Sequence, residues 1–144
     1  MTPQNAPFSQ AEYDRRIALT RAAMAKAGLD AIFVTDTSNQ AWPTGYDGWS
    51  FYVHQGVILT MTGEPHWWGR HMDSLGALRT CWIAPPSIHG YSDSYVQSTV
   101  RHPMQDLARI LRDMGLEQAR VGVEMENYYY SAKAHAVLGA ELPK

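Results

Sequence analysis

Apolar residues at helical spacing open the chain. Tyr13, Ile17, Met24 and Ala27 predict a helix ending near Ala27, with a modest buried stripe. Ser9-Gln10-Ala11-Glu12 reads as a capping box, Phe8 and Tyr13 as the hydrophobic staple across it, and Gly28 as a left-handed stop. Arg15, Arg16, Arg21 and Lys26 then fall on a solvated face. The continuous apolar run Ala31-Ile32-Phe33-Val34-Thr35 predicts a buried, central strand. The short polar side chains of Asp36 to Asn39 suit a turn and a helix cap at its C-terminal end. Gln40-Ala41-Trp42 forms a single helical turn, restricted by Pro43 and ended by Gly45. Val53 to Thr60 is the second strand, Thr62-Gly63-Glu64 a hairpin turn and Pro65 to Gly69 the third strand. Trp67 and Trp68 are adjacent and so face opposite sides, one toward the core and one toward a helix or a partner chain.

Beyond the hairpin the pattern predicts a short helix from Asp73 to Thr80. A fourth strand over Cys81-Trp82-Ile83-Ala84 is stopped by Pro85-Pro86, and pairing resumes from Ile88 to Tyr91. Ser92 to Thr99 is polar and irregular. His102-Pro103 opens a clear helix with proline at its favoured first position. Met104, Leu107, Ile110, Leu111 and Met114 line its apolar face, and Gly115 stops it. Val121 to Glu124 is a short strand, and Asn127 or Ser131 caps a last helix ending near Gly139. This order predicts an α/β layer fold: a mixed β-sheet of about five or six strands flanked by helices on both faces.

A chain of 144 residues, 45% hydrophobic and 18% charged, fits one globular domain. The formal charge of −2 argues against a nucleic-acid or anionic-membrane partner. A single cysteine, Cys81, forms no internal disulfide and fits a reducing compartment. There is no spanning apolar run and no signal peptide, so the expected address is the cytoplasm. Met1 to Pro7 is polar and expected to be frayed. Glu141-Leu142-Pro143-Lys144 follows directly on a helix, which reads as a fragment cut at a domain boundary.

The search for chemistry excludes more than it finds. None of the six histidines, His54, His66, His71, His89, His102 and His135, sits in a ligand pair such as His-Glu-x-x-His. Cys81 has no cysteine partner for zinc, and no Gly-x-Ser-x-Gly elbow, phosphate loop or dinucleotide fingerprint is present. Glu124 and Glu126 alternate along a strand end and do not pair; each caps a neighbouring helix or meets solvent. Two clusters remain. The first is a wall around the turn-rich stretch Gly45 to Gln55: Trp42, Trp49, Tyr52, His54 and Gln55, rings and hydrogen-bonding tips that suit a small polar organic ligand. The plain alternative is a cover over the end of the sheet. The second is Arg70-His71-Met72-Asp73, where Arg70 either holds a ligand carboxylate bidentately or pairs with Asp73. Because the second and third strands form a hairpin, their far ends are expected to lie apart. The two clusters then share a pocket only if the connection folds back or a second subunit intervenes. Tyr128-Tyr129-Tyr130 is expected to pack the last helix, with one hydroxyl at the surface.

Ser38-Asn39-Gln40-Ala41-Trp42-Pro43-Thr44-Gly45-Tyr46 resembles the Asn-x-x-Tyr-Leu-Thr-Gly segment of the creatinase/prolidase N-terminal domain, with Pro43 in place of the usual leucine. The run from Gly45 to Gln55, Trp67 to Arg70, Tyr95 to Met104, and Gly122 to Tyr129 resemble the ectoine-hydrolysing branch of that family. The resemblance implies a ribonuclease H-like mixed sheet, a homodimeric parent protein and a small-molecule substrate. It places any divalent metal, and the catalytic residues, in a C-terminal metallohydrolase domain absent from this chain. By the same resemblance the aromatic loop of one subunit closes the pocket of the other. Trp49, Tyr52 and His54 would touch substrate, Trp42 and Gln55 would support them, and Arg70 is one option for a substrate carboxylate. An isolated domain would expose apolar surface, with Trp67 or Trp68 as part of it. The alternatives are the N-terminal domain of an Xaa-Pro dipeptidase or aminopeptidase, and a free-standing module that binds a small cationic solute.

Overall fold

The computed structural model describes residues 6–50 and 52–142. Expectations that fall on Met1–Asn5, on Phe51 and on Pro143–Lys144 lie outside the described residues. The elements follow in the order α1 (Gln10–Ala27), β1 (Ala31–Val34), α2 (Thr37–Thr44), β2 (Gly56–Thr60), β3 (His66–Arg70), α3 (His71–Thr80), β4 (Ile88–Tyr91), α4 (Pro103–Asp113), β5 (Val121–Val123) and α5 (Ala132–Glu141). Short 3-10 turns lie at Pro85–Ser87 and Asp93–Tyr95. The five strands stand in the order β4-β3-β2-β1-β5. β2 runs antiparallel to both β1 and β3, while β4 and β5 lie parallel to β3 and β1, so the sheet is mixed.

Alternation along the strands loads the two faces of the sheet. Phe33, Ile58, Trp68 and Tyr91 point to one side and pack against α4 and α5 through Met104, Leu107, Leu111, Ala134 and Leu138. Val57 and Trp67 point to the other, against Tyr46, Ala77, Cys81 and Ile83, while Leu59 meets Ile17 and Met24 of α1. Both tryptophans are fully buried, one on each face, so neither contributes exposed apolar surface. Trp68 Nε1 donates to Asp106 at 2.9 Å, which satisfies its polar edge inside the core.

Most local caps follow the sequence, but the Ser9 box forms only in its first half, because the Glu12 carboxylate turns to Arg15 and Arg16. Ser9 accepts from the Glu12 amide at 3.3 Å, and the Phe8 and Tyr13 rings meet edge to face at 6.0 Å. Gly28 is left-handed at φ 67°, and Asp36 caps α2 by accepting from the Ser38 and Asn39 amides. Ser131, of the two candidates, caps α5.

Several expectations change. Cys81–Ala84 is not a strand, because its amides are already used. Cys81 N closes α3 on Ala77 O, Trp82 N bonds Thr44 O, and Ala84 N bonds the Glu64 carboxylate. β2 begins at Gly56 rather than Val53, and α2 continues through Pro43 as two full turns. Arg16 is buried, with its guanidinium between the Phe8 ring at 3.9 Å and the Trp42 ring at 4.5 Å and its Nε on Glu12 at 2.8 Å. Arg21 ties α1 to the hairpin through Thr60 O and Gly63 O. Two of the four cations assigned to a solvated face are therefore packing elements, and Ala27 is exposed. Among the described residues no helix is long and apolar enough to cross a membrane.

Candidate functional site: a cinched aromatic loop and the cleft beside it

The stretch from Gly45 to Gln55 leaves α2 through Gly45, left-handed at φ 75°, where a side chain would collide with the Tyr13 hydroxyl. Tyr46 then turns inward. It is buried against Trp67, with ring centroids 5.2 Å apart, and its hydroxyl donates to Gln55 Oε1 at 3.2 Å. Burial pushes the Tyr46 phenol well above its ordinary range, so it stays a neutral donor. One hydrogen bond thus closes the loop at its two ends, and Gly48 lies so close to the Tyr46 ring that no larger residue fits there.

The cinch projects Trp49 and Tyr52 outward, at 60% and 62% exposure. Trp49 Nε1 donates to the Tyr129 hydroxyl at 2.7 Å, so the tyrosine run braces the loop as well as packing α5. Tyr130 is buried against Phe33, and Tyr128 is the fully exposed member. His54 is half-buried, its ring 5.0 Å from that of His102, and its carbonyl accepts from the Tyr91 hydroxyl at 2.7 Å. Burial lowers the His54 pKa, partly offset by a hydrogen bond to the Tyr129 backbone. His102 is lowered to about 4 by burial, then by His54 and Lys133. Both imidazoles are neutral at neutral pH. The Met104 amide donates to His102 Nδ1 at 3.2 Å, which leaves the proton on Nε2.

The predicted wall is therefore divided. Tyr52 and His54 line one cleft of about 170 Å³ with Tyr91, Gln97, Arg101 and His102. Trp49 stands at the Tyr129 brace. Gln55 lies beneath the loop, 2% exposed, in a supporting position. Trp42 is not brought to this cleft. It projects from α2 over Arg16 and lines an apolar groove of about 290 Å³ with Ile32, Val34 and Leu59.

The two clusters expected to lie apart meet. Gly56 pairs with Trp68, so the chain entering β2 and the end of β3 share one end of the hairpin. Antiparallel pairing demands this, and the separation inferred from sequence was a topological error. Arg70 consequently sits with its guanidinium 5.9 Å from the Tyr52 ring. Both its Nε and Nη2 are taken by the Asp73 carboxylate, at 3.1 and 3.2 Å, in an ion pair sheltered on both sides. That pair, with a smaller contribution from Tyr52, raises the Arg70 pKa further.

Sequence reasoning missed Tyr91, Gln97, Arg101 and Tyr129, and read His102 only as a helix start. The segment Tyr95 to Met104 carries part of the family resemblance, but no local periodicity assigns it a role. Glu124 is more than a strand-end carboxylate. It accepts from the Thr35 and Asp36 amides, the Thr35 hydroxyl and the Asn39 and Asn127 amide groups, and so fastens β5 to the start of α2. Among the described residues no three His, Cys, Asp or Glu side chains converge as a metal would require.

A sandwich of this topology with a loop of this kind defines a known domain class. The creatinase/prolidase N-terminal domain model matches residues 16–143, and the chain belongs to that family. It is 54% identical over 138 residues to the ectoine hydrolase of Halomonas elongata, covering 95% of this chain and 35% of that protein. It is 38% identical over 137 residues to an uncharacterized hydrolase/peptidase, y4tM, of Sinorhizobium fredii, covering 94% of this chain and 35% of that one. The chain thus spans about a third of the length of these curated relatives. Among solved structures it superposes on dipeptidase PepE of Mycobacterium ulcerans with a TM-score of 0.69 at 22% identity, over 94% of this chain and 34% of that one. It also matches the creatinase/prolidase N-terminal domain of an X-Pro dipeptidase from Streptococcus pyogenes, with a TM-score of 0.68 at 15% identity over 94% and 90% of the two chains. At these identities the structures establish the fold alone.

Proposed function

We propose that this chain is the non-catalytic N-terminal domain of a cytoplasmic, homodimeric C–N hydrolase that opens ectoine, and that it closes the substrate pocket of the partner subunit. The observation that carries the reading is the cinched loop. Tyr46 and Gln55 hold its base while Trp49 and Tyr52 remain about 60% exposed, with Arg70 beneath the Tyr52 ring and the rest of that ring turned to solvent. Identity of 54% to an ectoine hydrolase supports the substrate. Exposed rings suit a cyclic amidinium, whose delocalised charge gains on the order of 1 kcal/mol over an aromatic face. A divalent metal, and the groups that activate water, belong in this reading to a domain that follows. No step of the hydrolysis is assigned to residues described here; their part is to bind, orient and exclude water.

The test is turnover of ectoine and of an Xaa-Pro dipeptide by the full-length enzyme, with Trp49→Ala and Tyr52→Ala alongside. The expected result is ectoine turnover weakened by both substitutions, with the fold intact by circular dichroism. Ectoine turnover untouched by either returns the loop to a structural cover. Cleavage of the dipeptide alone replaces the ectoine assignment with a peptidase.

A further inference from the structure

We propose that the cleft between the His54 strand entry and the 92–102 loop is a carboxylate subsite, with Arg101 as its cation and Gln97 as a second hydrogen-bonding arm. The inference rests on the reading of this domain as a pocket closure and specifies which group of the substrate it holds. A cleft of about 170 Å³ is too small for a whole drug-sized ligand and large enough for a compact acidic head.

The loop is built to present that arginine. The Ser98 hydroxyl accepts from the Val100 and Arg101 amides at 3.2 and 3.1 Å, which fixes the backbone where the side chain departs. The Ser92 hydroxyl donates to Ser94 Oγ at 3.0 Å, and Ser94 Oγ accepts from Arg101 Nη1 at 3.0 Å, with the Tyr95 ring 5.8 Å from the guanidinium. One corner of the fork is thereby anchored. Arg101 forms no ion pair among the described residues, unlike Arg70, Arg109 and Arg112, each of which is held by a carboxylate. Its Nε and Nη2 are left for an acceptor, and an arginine fork matches a carboxylate bidentately. Arg101 is exposed, so the open side of the fork can be reached from solvent.

Gln97 adds a second sign. It is the non-glycine residue at positive φ among those described, at 52°, and its side chain is exposed beside the same cleft. Glycine satisfies that backbone at lower cost, so a long amide side chain retained there points to use of the side chain. The neutral His102 at the cleft wall, with its Nε2 proton, adds a donor of no charge.

The test uses the full-length protein and isothermal titration calorimetry, which reads binding apart from turnover. The ligands are ectoine, the same cyclic amidine without its carboxylate, and an Xaa-Pro dipeptide as free acid and as C-terminal amide. Arg101→Gln is expected to weaken ectoine binding about 10-fold to 100-fold, leave the carboxylate-free amidine within about 2-fold, and raise KM far more than it lowers kcat. Arg101→Lys restores only part of the loss. Gln97→Gly is expected to weaken ectoine binding while leaving the melting temperature unchanged or higher. If ectoine is not a ligand but the dipeptide is, the ectoine reading fails. The subsite then stands or falls on whether Arg101→Gln penalises the acid over the amide. Equal effects of Arg101→Gln on acidic and carboxylate-free ligands, or no effect on either, overturn the subsite, as does a protein that binds no carboxylate at all.

Discussion

A histidine cap makes α4 pH-dependent, and the size of the effect follows from the structure. His102 Nδ1 accepts from the Met104 amide, and the His102 amide donates to Gln105 Oε1 at 2.9 Å, a reciprocal capping box. The cap needs a neutral ring. Burial, His54 and Lys133 hold the folded pKa down at about 4 against an ordinary 6.5. Above pH 6.5 the ring is neutral in both folded and unfolded chains, and its contribution to stability is whole. As pH falls from 6.5 toward 4 the unfolded chain takes up the proton first, so stability drains, and below 4 it is gone. At about 1.4 kcal/mol per pH unit the gap is worth at most ~3 kcal/mol. The ring is only half-buried, and solvent screening reduces this to about 1–2 kcal/mol. The perturbation is His102→Asn, which keeps a good capping acceptor and removes the titration. Urea unfolding of the 144-residue chain at about pH 7.5 and about pH 4.5 measures it. The wild type is expected to lose about 1 kcal/mol more than the variant between the two conditions. His102→Ala is expected to cost about 1 kcal/mol already at the higher pH, through the lost cap. Equal losses for wild type and His102→Asn across that range refute the reasoning.

Three further outcomes are expected. Glu124→Gln keeps the shape but turns part of the carboxylate into a donor facing the Thr35 and Asp36 amides, and should cost about 2 kcal/mol in the urea midpoint analysis; a change below about 0.5 kcal/mol contradicts the fastening role. Trp68→Phe removes the Nε1 bond and leaves the buried Asp106 oxygen short of a donor, with an expected loss of about 2–3 kcal/mol by thermal or urea melt, whereas a neutral result would mean that Arg109 alone satisfies Asp106. The Cys81 thiol, pushed up to about 12 by burial, should resist alkylation at about pH 8 in the native chain and react only on unfolding, and prompt labelling under native conditions would show the α3 end to be open.

What the amino-acid order determined is the set of local decisions. Ser9, Gly28, Asp36, Gly45, Gly63, Gly115 and Ser131 each act within a few residues, through a side-chain cap or a positive φ, so they are legible without knowledge of the rest of the chain. The same holds for the alternation that puts Trp67 and Trp68 on opposite faces, which nearly sufficed to give the two-faced sheet. The apolar run at Cys81–Ala84 misled for the converse reason: apolarity marks burial, and the partner of the backbone decides whether a buried segment is a strand. Those partners, Thr44 O and Glu64, lie tens of residues away.

The site was legible only in part. The aromatic loop announced itself by composition, yet its cinch through Tyr46 and Gln55 depends on the β2–β3 register, which sets Gln55 beside Gly69 at the end of β3. Arg70 meets Tyr52, and Trp49 meets Tyr129, because the sheet sets the β2–β3 hairpin end and the chain after β5 beside the loop. Trp42, four residues upstream of Tyr46 and equally aromatic, is carried to another surface by one turn of α2. Distances along the chain bound what neighbours can do; which distant side chains meet is fixed by sheet register and loop closure, and these are properties of the folded whole.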